Sequence, residues 1–200
     1  YYRLITGVDV VIGRIRKQLK KLGQDDNTII ALMGDNGFYL GEHGMAGKWY
    51  GHEESIRVPL IVFDPRVSQS VKGQRCREMA LNIDIAPTLL DLADVKNPEN
   101  TQGMSLKPLV YGKSPQWRES FFYEHRFDRR KDKPAIPKSE GVVAQRYKYL
   151  RYYESEPLFE ELYDLQQDPH EIKNLARNPK YKERLQQMRQ QCDLFAKQVE

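Results

Sequence analysis

An almost continuous apolar run at residues 28–33 narrows the possible folds more than any other segment. A short run of this kind predicts a strand buried on both faces, as in a parallel sheet. The segment before it, residues 3–22, predicts an amphipathic helix, because apolar residues recur at steps of three and four. These are Leu4, Val8, Val11, Ile15, Leu19 and Leu22. A helix that leads into a buried strand favours an α/β layer architecture.

A polar, glycine-rich stretch at residues 34–58 separates this strand from a second predicted buried strand at residues 59–63. A loop of this length inside a compact domain is usually functional or disordered. We therefore expect the chemistry of the chain in this stretch.

The pattern changes near residue 113, where we place a domain boundary between residues 1–112 and 113–200. Short strands are predicted at residues 120–124, 141–144, 147–152 and 162–165. The chain then ends in a helix capped by Asn178, with Pro179 at its start. This second part predicts a small α+β subdomain with an antiparallel sheet and a C-terminal helix.

Composition excludes several classes of protein. The formal net charge is +4, and the basic residues are interleaved with acids, which argues against a nucleic-acid binder. No run approaches the roughly 18 apolar residues of a membrane span. The first residues do not form a signal peptide, so either the protein has none or the chain starts inside a larger one. Two distant cysteines, Cys76 and Cys192, make neither a disulfide framework nor a metal motif.

Asp35 and Asn36 follow the first predicted strand, and the carboxyl ends of strands are where open α/β sheets bind ligands. A carboxylate beside an amide oxygen suits Ca²⁺ or Mg²⁺, although calcium takes roughly six to eight ligands. The alternative is a tight turn, because Asx-Gly pairs between apolar runs are a hairpin signal. Both interpretations stay open on these residues alone.

Lys48, His43 and His52 are further candidates in the same stretch. A lysine in a glycine-rich loop can contact sulfate or phosphate as a point charge, but a lone lysine is more often a solvated surface residue. Each histidine could be a ligand, an acid or a substrate contact, and each is more often structural. We interpret Glu53 and Glu54 as acids that start a helix or face solvent.

The order in which these short motifs follow one another is more specific than any single motif. Residues 33–37 (Met-Gly-Asp-Asn-Gly), 40–44 (Leu-Gly-Glu-His-Gly), 47–49 (Gly-Lys-Trp) and 53–61 occur in an order that resembles the type I sulfatases of the alkaline phosphatase superfamily. Residues 82–90, 147–149, 161–165 and 168–175 also resemble that family. The resemblance implies the C-terminal part of an alkaline-phosphatase-like α/β sandwich followed by the small subdomain.

The resemblance also implies roles. Asp35 and Asn36 match the family's calcium-binding pair, and Lys48 matches a lysine that contacts the sulfate. His43 and His52 are expected to line the substrate side. The family's nucleophile is a formylglycine made from a Cys/Ser-x-Pro/Ala-x-Arg motif, which residues 1–200 lack. We therefore expect a fragment that is inactive alone, from a parent enzyme that forms a covalent sulfoenzyme.

The expected function of the parent is hydrolysis of an organic sulfate ester, with a sulfated carbohydrate as the preferred class. One alternative is a phosphonate or phosphodiester hydrolase of the same superfamily. The other is a non-catalytic homologue in which Arg129, Arg130 and Lys131 hold an acidic glycan. The resemblance favours a periplasmic or secreted protein; the residues do not determine its oligomeric state.

Overall fold

The computed structural model describes residues 1–126 and 136–199, so the basic loop at Arg129, Arg130 and Lys131 lies outside the described residues. Two compact units are present. The first comprises Tyr1–Met33 and Pro59–Pro115, and the second comprises Gly34–Val58 and Gln116–Glu200. The division at residues 112 and 113 stays a prediction, whereas the structure groups the glycine-rich stretch with the C-terminal part of the chain.

The first unit contains three longer elements predicted from the sequence. Helix α1 spans Tyr2–Lys21, strand β1 spans Ile30–Met33, and strand β4 spans Leu60–Phe63. Helices α3 (Ile85–Leu92) and α4 (Lys107–Val110) follow. No residue of α1 is buried. Its last turn carries Lys20 and Lys21, whose positive charges interact favourably with the negative end of the helix dipole.

The first strand differs from its predicted parallel, fully buried state. Strands β1 and β4 pair antiparallel, with Ile30 opposite Phe63 and Met33 opposite Leu60. In each of these strands one residue is exposed and the other three are half-buried. The prediction was wrong on these points, because an apolar run reports hydrophobicity and not the direction of the neighbouring strand.

The second unit is built on an antiparallel sheet, as predicted, and its four strands form a meander. Its strands are β5 (Ser120–His125), β6 (Ser139–Ala144), β7 (Tyr147–Tyr152) and β8 (Phe159–Asp164), paired in chain order. Helix α5 (Lys182–Val199) packs against β5, β6 and β7. The side chain of Asn178 accepts a hydrogen bond from the backbone N–H of Lys180, which confirms the predicted cap.

The core of this unit lies between the sheet and α5. Alternate residues of the strands point toward the helix and meet its apolar stripe. The buried members are Val142, Tyr149, Leu162, Leu175, Leu185, Met188 and Cys192. Cys192 is the buried thiol that the helical spacing predicted, and burial raises its pKa to about 12. This core fixes the face of the sheet from which the buried charged groups described below project.

Three short elements occupy residues 34–58. Strands β2 (Tyr39–Leu40) and β3 (Ala46–Gly47) pair antiparallel, and helix α2 spans Glu53–Ile56. Among residues 1–126 and 136–199, no helix has the length and hydropathy needed to cross a bilayer.

Candidate functional site

Residues 35–37 connect β1 to the short strand β2, and those two strands do not pair with each other. Strand β1 pairs with β4, while β2 pairs with β3. The alternative of a tight hairpin turn at Asp35–Gly37 is therefore wrong. The hydrogen bonds that hold these residues come from elsewhere: the N–H of Gly37 donates to the carbonyl of Ser55, at 2.7 Å.

Asn36 and Lys48, twelve residues apart in sequence, meet in the structure. The ammonium of Lys48 donates to the side-chain oxygen of Asn36, at 2.6 Å, and lies 5.1 Å from the centre of the Trp49 ring. Lys48 is half-buried, so the alternative of a freely solvated lysine is wrong. Two predicted site residues therefore form one cationic group with a defined direction.

An open depression of about 500 Å³ adjoins Lys48 of this pair. Phe38, Trp49 and Tyr50 supply aromatic surface, and Lys48 supplies the positive charge. Its volume lies within the range of about 300–1,000 Å³ that small-ligand pockets occupy. The depression can therefore admit an anionic ligand of the size of a sugar.

Asp35, the other predicted metal ligand, is exposed, and its Oδ1 accepts the backbone N–H of Asn36 at 2.9 Å. Carboxylate and amide oxygens are the donors that Ca²⁺ prefers. An amide oxygen has two lone pairs, so Asn36 can accept the Lys48 hydrogen bond and still face a cation. The described residues hold no group of three or more His, Cys, Asp or Glu side chains arranged for a metal. The donor chemistry thus fits part of a calcium shell.

His43 and His52 stack with their ring centres 4.4 Å apart. His43 has a left-handed backbone (φ 54°), and its Nε2 lies 3.3 Å from Glu54 Oε2. His52 is only 2% exposed. Contact of His43 with a substrate stays a prediction. For His52 it also stays a prediction, but complete burial favours a structural role.

Polar groups face both ring nitrogens of His52. Its Nδ1 lies 2.8 Å from the hydroxyl of Tyr39, and its Nε2 lies 3.7 Å from Glu161 Oε2. Burial would raise the pKa of Glu161, but contacts with His52, Tyr152 and Tyr163 hold it below its usual range. An ionised carboxylate only accepts, so Glu161 faces the Nε2 side of the ring as an acceptor, while the Tyr39 hydroxyl shares a hydrogen bond with Nδ1.

Lys148 and Glu171, to which the sequence analysis gave no role, meet Glu53 beneath residues 34–58. Lys148 on β7 is fully buried, and its ammonium lies 2.7 Å from Glu53 Oε1 and 2.8 Å from Glu171 Oε1. Glu53 does start helix α2, as predicted. Glu54 lies in the same first turn, as predicted, and contacts His43; the side chains of Glu53 and Glu54 are 21% and 17% exposed.

One sequence signal could have pointed to Lys148. It stands between Tyr147 and Tyr149 in a strand whose other residues, apart from Arg151, are aromatic or apolar. A charged residue that is buried needs a partner of opposite charge, so a lysine on such a strand predicts a buried ion pair. The identity of that partner could not be predicted, since Glu53 lies 95 residues away.

Comparison with known proteins places this geometry in a family. Residues 41–198 match the model of the N-sulphoglucosamine sulphohydrolase C-terminal family. The chain is 34% identical to an N-acetylglucosamine-6-O-sulfatase of Bacteroides thetaiotaomicron, over 99% of this chain and 35% of that protein. It is also 34% identical to an arylsulfatase of Clostridium perfringens, over 94% of this chain and 38% of that protein.

Solved structures agree with this placement. A protein solved in complex with its substrate D-glucosamine-2-N,6-O-disulfate superposes with a TM-score of 0.86 at 32% identity, over 97% of this chain and 39% of that one. The phosphonate monoester hydrolase of Agrobacterium radiobacter superposes with a TM-score of 0.87 at 28% identity, over 99% of this chain and 40% of that one. The expected alkaline-phosphatase-like fold is thereby confirmed. This chain, which spans 35% and 38% of the lengths of the two sulfatases it matches, belongs to the N-sulphoglucosamine sulphohydrolase C-terminal family.

Proposed function

We propose that the protein containing this chain is a sulfuric ester hydrolase that removes sulfate from a sulfated carbohydrate. The observation that carries the proposal is the hydrogen bond from Lys48 to Asn36, which aims an ammonium group beside a carboxylate–amide pair. Family membership supports the sulfatase class. The substrate of the superposed structure, a sulfated glucosamine, supports a carbohydrate.

In this proposal Lys48 contacts a sulfate oxygen and offsets the negative charge that grows there as the ester bond breaks. Asn36 sets the direction of the ammonium before substrate arrives, which lowers the cost of ordering a flexible side chain. The aromatic surface of Phe38 and Trp49 faces the same depression and suits the apolar face of a sugar ring.

Asp35 and Asn36 would hold Ca²⁺, with other ligands needed to complete its shell. A bound calcium ion would supply positive charge that polarises sulfate oxygens. A formylglycine nucleophile outside residues 1–200, and a periplasmic or secreted location, belong to the same proposal and rest on the resemblance to sulfatases. Peptide mass spectrometry of the full-length protein tests the nucleophile by searching for a converted Cys or Ser.

The central test uses the full-length protein and measures free sulfate by ion chromatography, with glucosamine 6-sulfate and glucosamine N-sulfate as substrates. Lys48→Ala is expected to lower kcat/KM by about 100-fold or more, since one lost transition-state donor costs about 10²–10³. Lys180→Ala removes an exposed lysine of the same unit and is the matched control.

Asn36→Ala and Asp35→Ala are each expected to lower bound calcium, measured by plasma mass spectrometry. Chelation is expected to abolish sulfate release, and calcium to restore it. Release of phosphonate from a phosphonate monoester at a higher kcat/KM than any sulfate ester would instead establish the phosphonate hydrolase alternative. If the full-length protein hydrolyses neither ester but binds a glycan, the alternative of a non-catalytic glycan-binding homologue would be supported.

A further inference from the structure

The buried cluster of Lys148, Glu53 and Glu171 lies outside the proposed catalytic contacts. Lys148 and the side chain of Glu171 are inaccessible to solvent, and two carboxylates share one ammonium. The Lys148–Glu171 contact is an ion pair whose angles fall outside those of a hydrogen bond. Breaking a buried pair by removing one partner is strongly destabilising, so these groups hold one another in place.

Glu171 connects the cluster to helix α2. Its Oε2 accepts the backbone N–H of Glu53 at 2.6 Å, across 118 residues of sequence. Glu171 itself has a left-handed backbone (φ 53°), which is disfavoured for a non-glycine residue and marks a conformation imposed by its surroundings. One side chain therefore fixes both Lys148 and the first turn of α2.

Helix α2 in turn fixes the backbone beside both proposed sulfate-site residues. The carbonyl of Ser55 accepts the N–H of Gly37, and the hydroxyl of Ser55 accepts the N–H of Trp49, at 2.7 and 3.0 Å. Gly37 follows Asn36, and Trp49 follows Lys48. Ser55 is 5% exposed, so water does not compete for these bonds.

We propose that Lys148 and Glu171 are positioning residues, which hold the backbone beside the Asn36–Lys48 pair in place through helix α2 and Ser55. The role assigned to that pair rests on the proposed sulfatase function, whereas the positioning itself does not. The consequence is a dependence of the site on a carboxylate in the C-terminal subdomain that touches no substrate.

The first test is hydrogen exchange at the Gly37 and Trp49 amides in the full-length protein, which needs no enzymatic activity. Glu171→Ala is expected to speed exchange at both amides by about tenfold or more, because the segment opens locally. Glu171→Gln keeps an oxygen that can accept the Glu53 N–H and is expected to restore slow exchange. Glu160→Ala removes a carboxylate of β8 that pairs with Arg189 on α5, and it is the matched control.

The second test is a double-mutant cycle on sulfate release. Glu171→Ala is expected to lower kcat by about 10–100-fold with KM changed less than about threefold, since a displaced group of about 1 Å costs on that order. In the Lys48→Ala background the same change is expected to add almost nothing, because both act through one group.

Unchanged exchange at both amides in folded Glu171→Ala, or additive losses in the cycle, would overturn the proposal. If Glu171→Ala does not fold, Glu171→Asp carries the test: it keeps the charge beside Lys148 but is too short to reach the Glu53 N–H. Faster exchange in a protein that shows no sulfatase activity would support positioning and refute the proposed function, so the two failures are distinguishable.

Discussion

Gly37 shows how a single missing side chain shapes the candidate site. A Cβ at this position would lie 2.0 Å from the carbonyl oxygen of Glu54 and 3.0 Å from the carbonyl carbon of Ser55. Both are backbone atoms, which cannot swing aside as a flexible side chain can. The segment that carries Asn36 can approach α2 this closely only with glycine here.

Replacing Gly37 by alanine is therefore expected to push residues 35–37 away from α2 and lower the free energy of unfolding by about 1–3 kcal/mol, the usual cost of overpacking. Urea denaturation of the full-length protein measures this change. Gly13→Ala is the control: nothing lies within 4 Å of its added Cβ, and a mid-helix alanine is expected to stabilise slightly. Equal stability of the two variants would contradict the close approach.

Site residues could be predicted from the sequence only where they belong to motifs that lie close together in the chain. Asp35, Asn36 and Lys48 lie within fourteen residues of one another, so their sequence motifs reveal them. The contacts of Glu161 with His52 and of Glu171 with Glu53 could not be assigned, because each joins residues more than one hundred positions apart. Pairings of that kind are decided by tertiary packing and leave no local pattern.

At the scale of elements, the ion pair between Arg146 and Asp164 lies at one end of the hydrogen-bonded pairing between β7 and β8. Asp164 ends β8 opposite Tyr147, and both of its oxygens accept hydrogen bonds from Arg146. The backbone N–H of Leu165 also donates to the carbonyl of Arg146, at 2.7 Å. The guanidinium of Arg146 holds the pKa of Asp164 below its usual range, although burial opposes this.

This pair predicts a pH-dependent contribution to stability. Since the folded pKa is depressed, the contribution is fully present above the unfolded value of about 3.9 and is lost as pH falls through the folded pKa. Asp164→Asn is expected to unfold at lower urea concentration at pH 7, and its difference from wild type is expected to shrink as the pH falls below about 4. Glu183→Gln, an exposed change on α5, is the control; a difference independent of pH would contradict the assignment.

Helices and strands with a clear hydrophobic period were predicted close to their observed bounds. The direction in which β4 pairs with β1 was not predicted. Helix α1 and the four strands of the meander occur close to the predicted bounds, because alternation and helical spacing are local properties. The antiparallel partner of β1 was missed. An apolar run carries no information on direction, and the long segment between β1 and β4 gave no short turn from which to infer it.

At the scale of the whole molecule, helix α1 leaves an apolar stripe exposed to solvent. Its apolar stripe includes Leu4 at 74%, Val11 at 52% and Ile15 at 52% exposure. Exposed apolar stripes of this kind usually mark a contact with another surface. Residues 1–200 alone are therefore expected to associate through this helix.

Sedimentation velocity over a range of concentrations measures this association. Val11→Lys combined with Ile15→Lys is expected to reduce it by making the stripe polar, whereas Lys17→Glu on the opposite face is expected to leave it unchanged. A wild-type chain that is monomeric at every concentration would show that the stripe does not self-associate.

The division of the second unit into two stretches of sequence has a consequence for synthesis. The segment with Asn36 and Lys48 leaves the ribosome long before its anchor, since Glu171 follows Glu53 by 118 residues. At ~5–20 residues per second, the wait is about 6–24 s. During that interval the glycine-rich segment has no carboxylate to fix α2, and its own short strands cannot stand alone. A nascent chain therefore passes through a stage in which the proposed sulfate contacts have been synthesised but are not yet ordered, and the segment is then accessible to chaperones and proteases.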